Sequence, residues 1–465
     1  MSRRSEDGSA PPHLWDGRFS SPPSPQAEAL GRSLGFDVRL APQDVDASIA
    51  HVEALHGAGL LDDEERTRLH EALRAVGEEI AAGTFAFDET DEDVHSAIER
   101  AVTERLGEVG AKLHAGRSRN DLVATDLRLW MLASAARVET LLGAAIETLS
   151  IRAREHAGTV MPGVTHARPA QPVTLGHHLL AHGWALSRDR ERLQEWARRA
   201  SISGLGAGAI ATSTLGLDAS ATARRLGMDR AFANSIDAVS DRDFVQEFLA
   251  VASICATHLS RLAADLARWT EGSRGWATLD EAYSTGSSMM PHKRNPDTAE
   301  LVRGKAARVA GDFGAVTAVL QGLPLGYHRD LQEDKEPVFD AVDTLELTLP
   351  AITGAVATIR FHVDAMRRDC EDEGLYATDL AEALVRDGVP FREAHRRIGR
   401  LVRELEENGR TLRELSAQEW SELGIAGGAA MLDPEVSIAA RSGVGGPTAE
   451  SVMVQADALD ALSRP

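Results

Sequence analysis

Apolar residues recur at intervals of three and four over most of the chain, the spacing that places them on one face of an α-helix. Between about 44 and 106 such runs are short and separated by glycines, which predicts short amphipathic helices. In 121–157 the pattern continues with Gly143 near its middle and without any proline. This stretch predicts a helix far longer than the ordinary length of about 11 to 12 residues.

A heptad pattern is clearest after residue 297, and it also appears in 244–269 and 338–359. Its apolar positions, separated by alternating steps of four and three, are Val302, Ala306, Val309, Phe313, Val316 and Leu320. Long helices with such seams pack side by side as bundles. Because strand signals are weak throughout, the fold class predicted is all-α, with a central bundle of long helices.

The same patterns predict how the chain is divided. We expect a disordered tail at 1–12, an N-terminal helical domain at 13–116, a central helix-bundle domain at 117–366 and a C-terminal helical domain at 367–465. The seams on several helices exceed what a single five-helix layer would bury. Association of several copies through the bundle is therefore expected.

Composition narrows the function classes. The 465 residues are 43% hydrophobic, no run of eighteen apolar residues occurs, and the first dozen residues lack the apolar core of a signal peptide. We therefore expect a cytoplasmic protein without a membrane segment, and its two cysteines are expected to be buried thiols. A net charge of −21, from 71 acidic and 50 basic residues, disfavours nucleic acid as a partner.

Lysine is unusually scarce in this chain. Only Lys112, Lys293, Lys305 and Lys335 occur among the 50 basic residues, so 50 − 4 = 46 are arginines. A lysine in such a background suggests a task that needs a compact ammonium rather than a planar guanidinium. Lys293 stands in the loop sequence "GSSMMPHKRNPD" (286–297), where two prolines and a glycine exclude helix and central strand.

Four polar stretches interrupt the helical pattern, at 114–121, 162–174, 286–297 and 327–336. They hold cations suited to carboxylates and neutral hydrogen-bonding groups, namely Arg119, Lys293 and Lys335 with Asn120, Thr165, Asn295 and Gln332. Helix capping and surface solvation would explain any one of them. Because all four stretches are rich in such polar groups, they together predict a pocket for a small anion with several carboxylates.

His166, in a loop between Pro162 and Pro169, is a candidate general acid or base, and Glu300 is its candidate partner. Glu300 could equally belong to a capping box that begins with Asp297. The pair His178 and His182 lacks the acid of H-E-x-x-H, so a zinc site is not expected there. No cofactor and no metal are expected.

The loop at 286–297 matches the signature G-S-S-x-M-P-x-K-x-N-P, which identifies it as resembling the fumarase/aspartase superfamily. The stretches "GRSRND", "AQPVT", "LQEDKE", "DEDVH" and the N-terminal "LWDGRF" are similar to the argininosuccinate lyase family in particular. The resemblance extends from Leu14 to Gly445 and Gly446. It implies a three-domain fumarase/aspartase-type fold and a homotetramer with a twenty-helix core, in which three subunits build each active site.

The family's reaction is elimination of fumarate from argininosuccinate, with release of arginine through a doubly charged aci-carboxylate. The resemblance implies that Lys293 and Asn295 stabilise this intermediate. It also implies that Ser287 and His166, the latter paired with Glu300, transfer the protons, and it leaves open which one donates and which accepts. The positions that match substrate-binding residues are Ser33, Asp37, His95, Arg119, Asn120, Thr165, Tyr327, Gln332 and Lys335.

The chain departs from the family pattern at Ala115, Ala167, Arg168, His328 and Arg329, and Gly31 stands where asparagine is usual. These positions concern the leaving-group half of the pocket rather than the elimination itself. Two alternatives therefore stay open. One is a related lyase that releases fumarate from another N-substituted aspartate, and the other is a catalytically inactive structural homologue.

Overall fold

The computed structural model of the chain describes residues 23–88 and 90–463. The predicted tail at 1–12 and the "LWDGRF" stretch at 14–19 lie outside the described residues.

Helices dominate the described chain, as predicted. In the first half they are α1 (Pro25–Gly31), α2 (Leu34–Asp37), α3 (Ala41–Gly57), α4 (Asp63–Ala81), α5 (Val94–Leu106), α6 (Glu108–Ala111), α7 (Arg119–Glu155), α8 (Leu175–Ala200), α9 (Ala219–Arg225) and α10 (Ser235–Ser240). They continue with α11 (Asp243–Trp269), α12 (Asp297–Leu320), α13 (Lys335–Thr358), α14 (Val363–Asp369), α15 (Ala377–Arg386), α16 (Phe391–Glu407), α17 (Ala417–Glu422), α18 (Pro434–Ala439) and α19 (Ala449–Ser463). Short 3-10 turns join several of them.

Among the residues that the structure describes, six strands pair in three two-stranded ribbons: β1 (Val160–Thr165) with β2 (Arg168–Thr174), β3 (Ile202–Ser203) with β4 (Arg230–Ala231), and β5 (Ala277–Thr278) with β6 (Arg360–Phe361). The first ribbon corrects the expectation of a loop between Pro162 and Pro169, because both prolines lie in paired strands. Its prolines did not prevent strand formation, because each strand of a two-stranded ribbon has one edge whose N–H groups need no partner in the sheet.

The contacts divide the chain into two compact units, each discontinuous in sequence. Unit 1 comprises the described residues up to Val138 with Arg192–Ala252 and Val309–Asp343, and unit 2 comprises Glu139–Glu191, Ser253–Arg308 and the described residues from Thr344 onward. The three-domain division inferred from the sequence follows different boundaries and stays a prediction.

The longest helices agree with their sequence patterns. Helix α7 has 37 residues, and α12 buries Val302, Val309 and Val316, one residue per heptad. Two helices of the described chain, α7 and α11, are long and apolar enough to cross a membrane by length and composition alone. Core helices of soluble proteins pass the same test, so this property is weak evidence for a membrane span.

Local signals fix where several helices begin. Asp62 and Glu65 form a reciprocal capping box at α4, and Asp93 and Ser96 form one at α5. The second box places His95 in the first turn of α5. Both cysteines, Cys255 and Cys370, are free and buried, as expected from the sequence.

Candidate functional site

The stretch 286–294, called here the Ser287 loop, is closed at its base by two backbone hydrogen bonds. The Asn295 amide donates to the Thr285 carbonyl at 2.8 Å, and the Thr285 amide donates to the Asn295 carbonyl at 3.2 Å. On the return leg Arg294 donates to the Leu279 carbonyl at 3.3 Å and to Glu281 at 2.8 Å. The loop is therefore a flap whose ends are fixed and whose tip extends away from them.

Ser287 lies at the start of this flap and shapes its tip. Its hydroxyl oxygen accepts hydrogen bonds from the Met290 amide at 3.0 Å and the Met289 amide at 3.3 Å. Two N–H donors aimed at one oxygen favour negative charge on that oxygen. The turn is thus suited to stabilising an alkoxide, which a serine must approach when it acts as a base.

Lys293 lies on the returning side of the same flap, and Asn295 lies at the base of the flap. The Lys293 side chain is exposed, while Asn295 is half-buried and its side-chain amide donates to the Gly286 carbonyl at 3.4 Å. A small cavity of about 150 Å³ lies at the flap base and is lined by Thr270, Thr278, Ser284 and Asn295 among others. The flap therefore carries an exposed cation on its returning side, two residues before an amide at its base.

His166 occupies the tip of the β1–β2 hairpin. The strands pair up to Thr165 opposite Arg168, which leaves His166 and Ala167 as a two-residue turn with φ of 50° and 61°. Turns of this kind require positive φ at both central residues, where glycine or asparagine is favoured. A histidine and an alanine held there store strain, a feature that concentrates at functional sites.

Glu300 is exposed on the first turn of α12, and its Oε1 lies 3.9 Å from the Arg303 guanidinium. The helix begins at Asp297, whose carboxylate accepts a hydrogen bond from Thr285. Within the described part of this single chain, His166 and Glu300 do not form an ion pair with each other. Their pairing stays a prediction.

Eight further predicted residues belong to unit 1. Ser33 and Asp37 are buried together: the Ser33 hydroxyl donates to Asp37 Oδ2 at 2.5 Å, and the Val94 amide donates to Asp37 Oδ1 at 3.1 Å. Burial raises the pKa of Asp37, although His95 and Ser33 partly oppose that shift. The pair ties the end of α2 to the start of α5.

His95 is buried, and its Nδ1 lies 2.6 Å from Asp44 Oδ2 and 3.4 Å from Asp126 Oδ2. Burial alone would lower the pKa of His95. The hydrogen bond and charge of Asp44, with the charges of Asp93 and Asp126, outweigh burial and raise that pKa to about 9. His95 is therefore a cation at neutral pH, enclosed by carboxyl groups.

Arg119, in the first turn of α7, is half-buried. Its guanidinium lies 3.3 Å from Glu92 Oε2 and 3.2 Å from Asp93 Oδ2. Burial lowers the pKa of Arg119, but Asp93 and Glu92 outweigh it and raise that pKa. Glu92 also accepts a hydrogen bond at 2.5 Å from Arg329, whose guanidinium donates in addition to the Gly31 carbonyl. Two arginines therefore share one carboxylate.

The next residues of α7 connect it to the glycine-rich segment 203–209. The Asn120 amide donates to the Ala209 carbonyl at 3.2 Å. Asp121, which is fully buried, accepts from the Ser118 amide at 2.9 Å, from Gly206 at 3.0 Å and from Gly208 at 2.8 Å. The glycines thus form a backbone cradle for a carboxylate of the same chain.

Lys335, the first residue of α13, is buried. Its ammonium donates to Asp334 at 2.9 Å and to the Leu331 carbonyl at 3.3 Å, while the Arg242 guanidinium pairs with Asp334 at 2.5 Å. Gln332 is half-buried nearby in sequence, and Tyr327 packs against the apolar cluster of Ala207, Ala238 and Val239. Asp334 is a partner that the sequence reasoning missed, although it immediately precedes Lys335.

Two clusters of the described residues have ligand atoms close enough together to hold a metal ion. One is the buried set Asp44, His95 and Asp126. The other is His178, His182 and Asp265, the last of which the sequence reasoning missed because it lies on α11, far from the histidines in sequence. Burial lowers the pKa of His182 despite its hydrogen bond to Asp265.

A family model described as "Lyase" matches residues 17–311, and a model described as "Argininosuccinate lyase C-terminal" matches residues 374–439. Argininosuccinate lyase of Frankia casuarinae is 49% identical over 454 residues, covering 96% of this chain and 97% of that protein. The same-named protein of Kineococcus radiotolerans is also 49% identical, covering 97% and 96%.

Among solved structures, EDDS lyase in complex with formate superimposes with a TM-score of 0.83 at 29% identity, covering 94% of this chain and 88% of that one. The all-α, fumarase/aspartase-type fold predicted from the sequence is thereby confirmed. Identity near one half over almost the whole length of two curated relatives, with matches to the family models in both parts of the chain, identifies the family. The chain belongs to the argininosuccinate lyase family.

Proposed function

We propose that this protein eliminates fumarate from argininosuccinate and releases arginine by cleaving a carbon–nitrogen bond. The observation that carries the proposal is the similarity to curated argininosuccinate lyases over 96–97% of the chain. The relatives' names indicate a small anionic substrate, and the cationic and amide groups of the predicted site residues suit one. A cytoplasmic location stays a prediction.

In the proposed mechanism Lys293 and Asn295 act on the carboxylate next to the carbon that loses its proton. Proton removal converts that carboxylate into a doubly charged aci-carboxylate, which is the high-energy intermediate. A fixed ammonium and a fixed amide aimed at the developing charge lower the barrier by on the order of 3 kcal/mol for each well-placed donor. This role explains a lysine in a chain where arginine carries almost all the other positive charge.

Ser287 and His166, with Glu300, transfer the two protons in this proposal. The two backbone donors on the Ser287 oxygen would stabilise the alkoxide, and closure of the loop would add the charge of the Lys293 ammonium. His166 is exposed at a hairpin tip, where it is accessible to a substrate or to another subunit. Which group removes the proton and which one protonates the departing nitrogen is left open by the geometry of a single chain.

We also propose the homotetramer, with a twenty-helix core and active sites assembled from three subunits. Large apolar side chains on the long helices support it: Leu301 is 62% exposed and Leu347 is 59% exposed. On α12, Gly304, Ala307, Gly311 and Ala315 are also exposed, and such small residues permit close approach of another helix. Light scattering at micromolar protein concentration tests the mass, and a monomer there would contradict the assembly.

The activity is tested by following fumarate absorbance after mixing the protein with argininosuccinate. Ser287→Ala is expected to lower kcat by about 10² to 10⁴-fold, the usual contribution of a general acid or base. Ser288→Ala, its neighbour in the same loop, is the matched control and is expected to keep kcat within about threefold, because the proposal gives it no role.

Lys293→Met is expected to lower kcat by about 10² to 10³-fold, and Lys305→Met on α12 serves as its control. Turnover of another N-substituted aspartate without turnover of argininosuccinate would replace the proposed substrate but keep the chemistry. Activity unaffected by Ser287→Ala would refute the mechanism even if argininosuccinate is the substrate. A protein inactive on every succinyl adduct would support the inactive homologue.

A further inference from the structure

A cluster on unit 2, separate from the predicted catalytic residues, brings two histidines and one carboxylate together. His178 and His182 lie one turn apart on α8, and Asp265 lies on α11. The Nε2 atoms of the two histidines lie 2.8 and 2.9 Å from the same oxygen, Asp265 Oδ2. All three potential ligand atoms lie within 4.8 Å of one another.

The nitrogen–oxygen contacts of this cluster are slightly shorter than the spacing that a divalent metal requires. In tetrahedral zinc sites the metal–nitrogen and metal–oxygen distances are about 2.0–2.2 Å, so neighbouring ligand atoms are about 3.3–3.5 Å apart. Side-chain movements of roughly half an ångström would open the two contacts of Asp265 with His178 and His182 to that separation. Histidines four residues apart on a helix share one face, which is how H-x-x-x-H segments supply two ligands to one ion.

The chemistry of the three donors selects the class of metal. Imidazole nitrogen suits Zn²⁺, Cu²⁺, Ni²⁺ and Co²⁺, while Mg²⁺ and Ca²⁺ prefer sets composed entirely of oxygen. A set of two histidines and one carboxylate leaves at least one coordination position for water. The donors here therefore favour a borderline transition-metal ion over the hard alkaline-earth ions.

The cluster is accessible and held in place. The side chains of His178, His182 and Asp265 are 30%, 13% and 31% exposed, which leaves an opening for an ion and its water. The buried Trp269 and His178 rings pack in a T-shaped arrangement at a centroid distance of 5.1 Å, which restricts rotation of the His178 ring. Arg261, whose charge reaches His182, opposes a cation, but its side chain is exposed and therefore screened by solvent.

We propose that His178, His182 and Asp265 form a binding site for a divalent transition-metal ion, best suited to Zn²⁺, which would join α8 to α11. The competing occupant is a pair of protons: both Nε2–H groups can donate to Asp265 Oδ2 in the absence of metal. The two states differ in a measurable way, because metal binding stabilises the folded protein and a bound transition metal has its own spectrum.

The test uses the full chain after chelation with EDTA and removal of the chelator. Co²⁺ is added as a spectroscopic probe, and Zn²⁺ binding is then measured by calorimetry and by displacement of Co²⁺. One ion per chain is expected, with intense visible cobalt bands typical of low coordination number and a rise in Tm on adding Zn²⁺. His182→Gln and Asp265→Asn are expected to weaken Zn²⁺ binding at least about 100-fold, as loss of a direct ligand should exceed the loss of an outer-shell partner.

The matched control is His395→Gln, which changes an exposed histidine on α16 of the same unit and is expected to bind Zn²⁺ like the original chain. Circular dichroism and the turnover assay establish that each variant is folded, since the cluster has no role in the proposed elimination. Equal Zn²⁺ affinity in the original chain and in folded His182→Gln would overturn the proposal. So would a cobalt spectrum identical to that of the free aqueous ion, because the histidines would then hold protons only.

Discussion

Asp121 offers the sharpest test of how the first turn of α7 is held. Its carboxylate accepts three backbone hydrogen bonds, from the amides of Ser118, Gly206 and Gly208, at 2.9, 3.0 and 2.8 Å. Asp121→Ala leaves all three donors without this partner. Loss of the hydrogen bond at the buried Gly208 amide destabilises the fold by about 2 kcal/mol. The half-buried Ser118 and Gly206 amides can bind water instead, so each of these losses costs about 1 kcal/mol.

The expected cost of Asp121→Ala is therefore about 4 kcal/mol, concentrated on the segment 203–209. Amide hydrogen exchange with mass spectrometry measures this locally, because exchange of a protected amide follows the free energy of local opening. Since each 1.4 kcal/mol is a factor of ten, exchange of the peptide that contains Gly206 and Gly208 should accelerate at least about 100-fold. The KM for argininosuccinate should also rise, because Asn120 is bonded to Ala209 in this segment.

Asp62→Ala is the matched control, since Asp62 is an exposed helix cap that accepts a single amide hydrogen bond, from Glu65 at 2.8 Å. Its expected cost is about 1 kcal/mol, confined to the start of α4. Asp121→Asn, which retains one acceptor oxygen, should give an intermediate effect and serves if the alanine variant does not fold. An amide exchange rate for this peptide in folded Asp121→Ala within threefold of the original rate would contradict the role given to the Asp121 carboxylate.

Three further predictions concern other parts of the chain. Burial, followed by the charge of Arg117, lowers the pKa of His51 to about 3, so the fold excludes a proton that the unfolded chain binds below about 6.5. The contribution of His51 to the free energy of unfolding should accordingly be fully present above pH 6.5 and fall by up to about 1.4 kcal/mol per pH unit toward pH 3. His51→Gln can still donate to the Ala115 carbonyl and should flatten this pH profile, as measured by denaturant titration. Ala167→Gly should raise the unfolding free energy by about 1 kcal/mol in thermal melts, because glycine adopts positive φ without strain, whereas Ala170→Gly in β2 should lower it; equal effects would contradict the strained turn. Arg329→Ala should raise KM by up to about fivefold with kcat unchanged, since Glu92 would then pair with Arg119 alone, and a change in kcat instead would place Arg329 nearer the reaction.

The hydrophobic pattern was sufficient for the main features of the fold. It predicted the short helices near 44–106, the unusually long helix that became α7, and the heptad seam of α12 whose Val302, Val309 and Val316 are buried. These features depend on local periodicity, which the sequence displays directly. The hairpin β1–β2 was missed, because prolines and a polar tip obscured its alternation and its pairing depends on residues on both sides of the turn.

The signature sequence and the scarcity of lysine predicted Ser287, Lys293 and Asn295 as site residues. The described structure places Ser287 and Lys293 on one flap, which Asn295 closes together with Thr285. The roles of these residues stay predictions, as does the pairing of His166 with Glu300. The sequence could not show that Lys335 is buried on Asp334, or that Asp265 joins His178 and His182. These contacts depend on how side chains pack, which a motif does not encode.

By itself the sequence determined the class of fold, the family and the identity of the groups available for chemistry, because periodicity, composition and motif spacing are properties of the chain itself. Only the tertiary structure decided which of those groups meet. Asp121 fills the glycine cradle at 206–208, and Asp265 faces two histidines from another helix, because packing brings together residues 83 to 87 positions apart. Separations of that size have no local signal, since they are set by the burial of whole helices rather than by neighbouring residues.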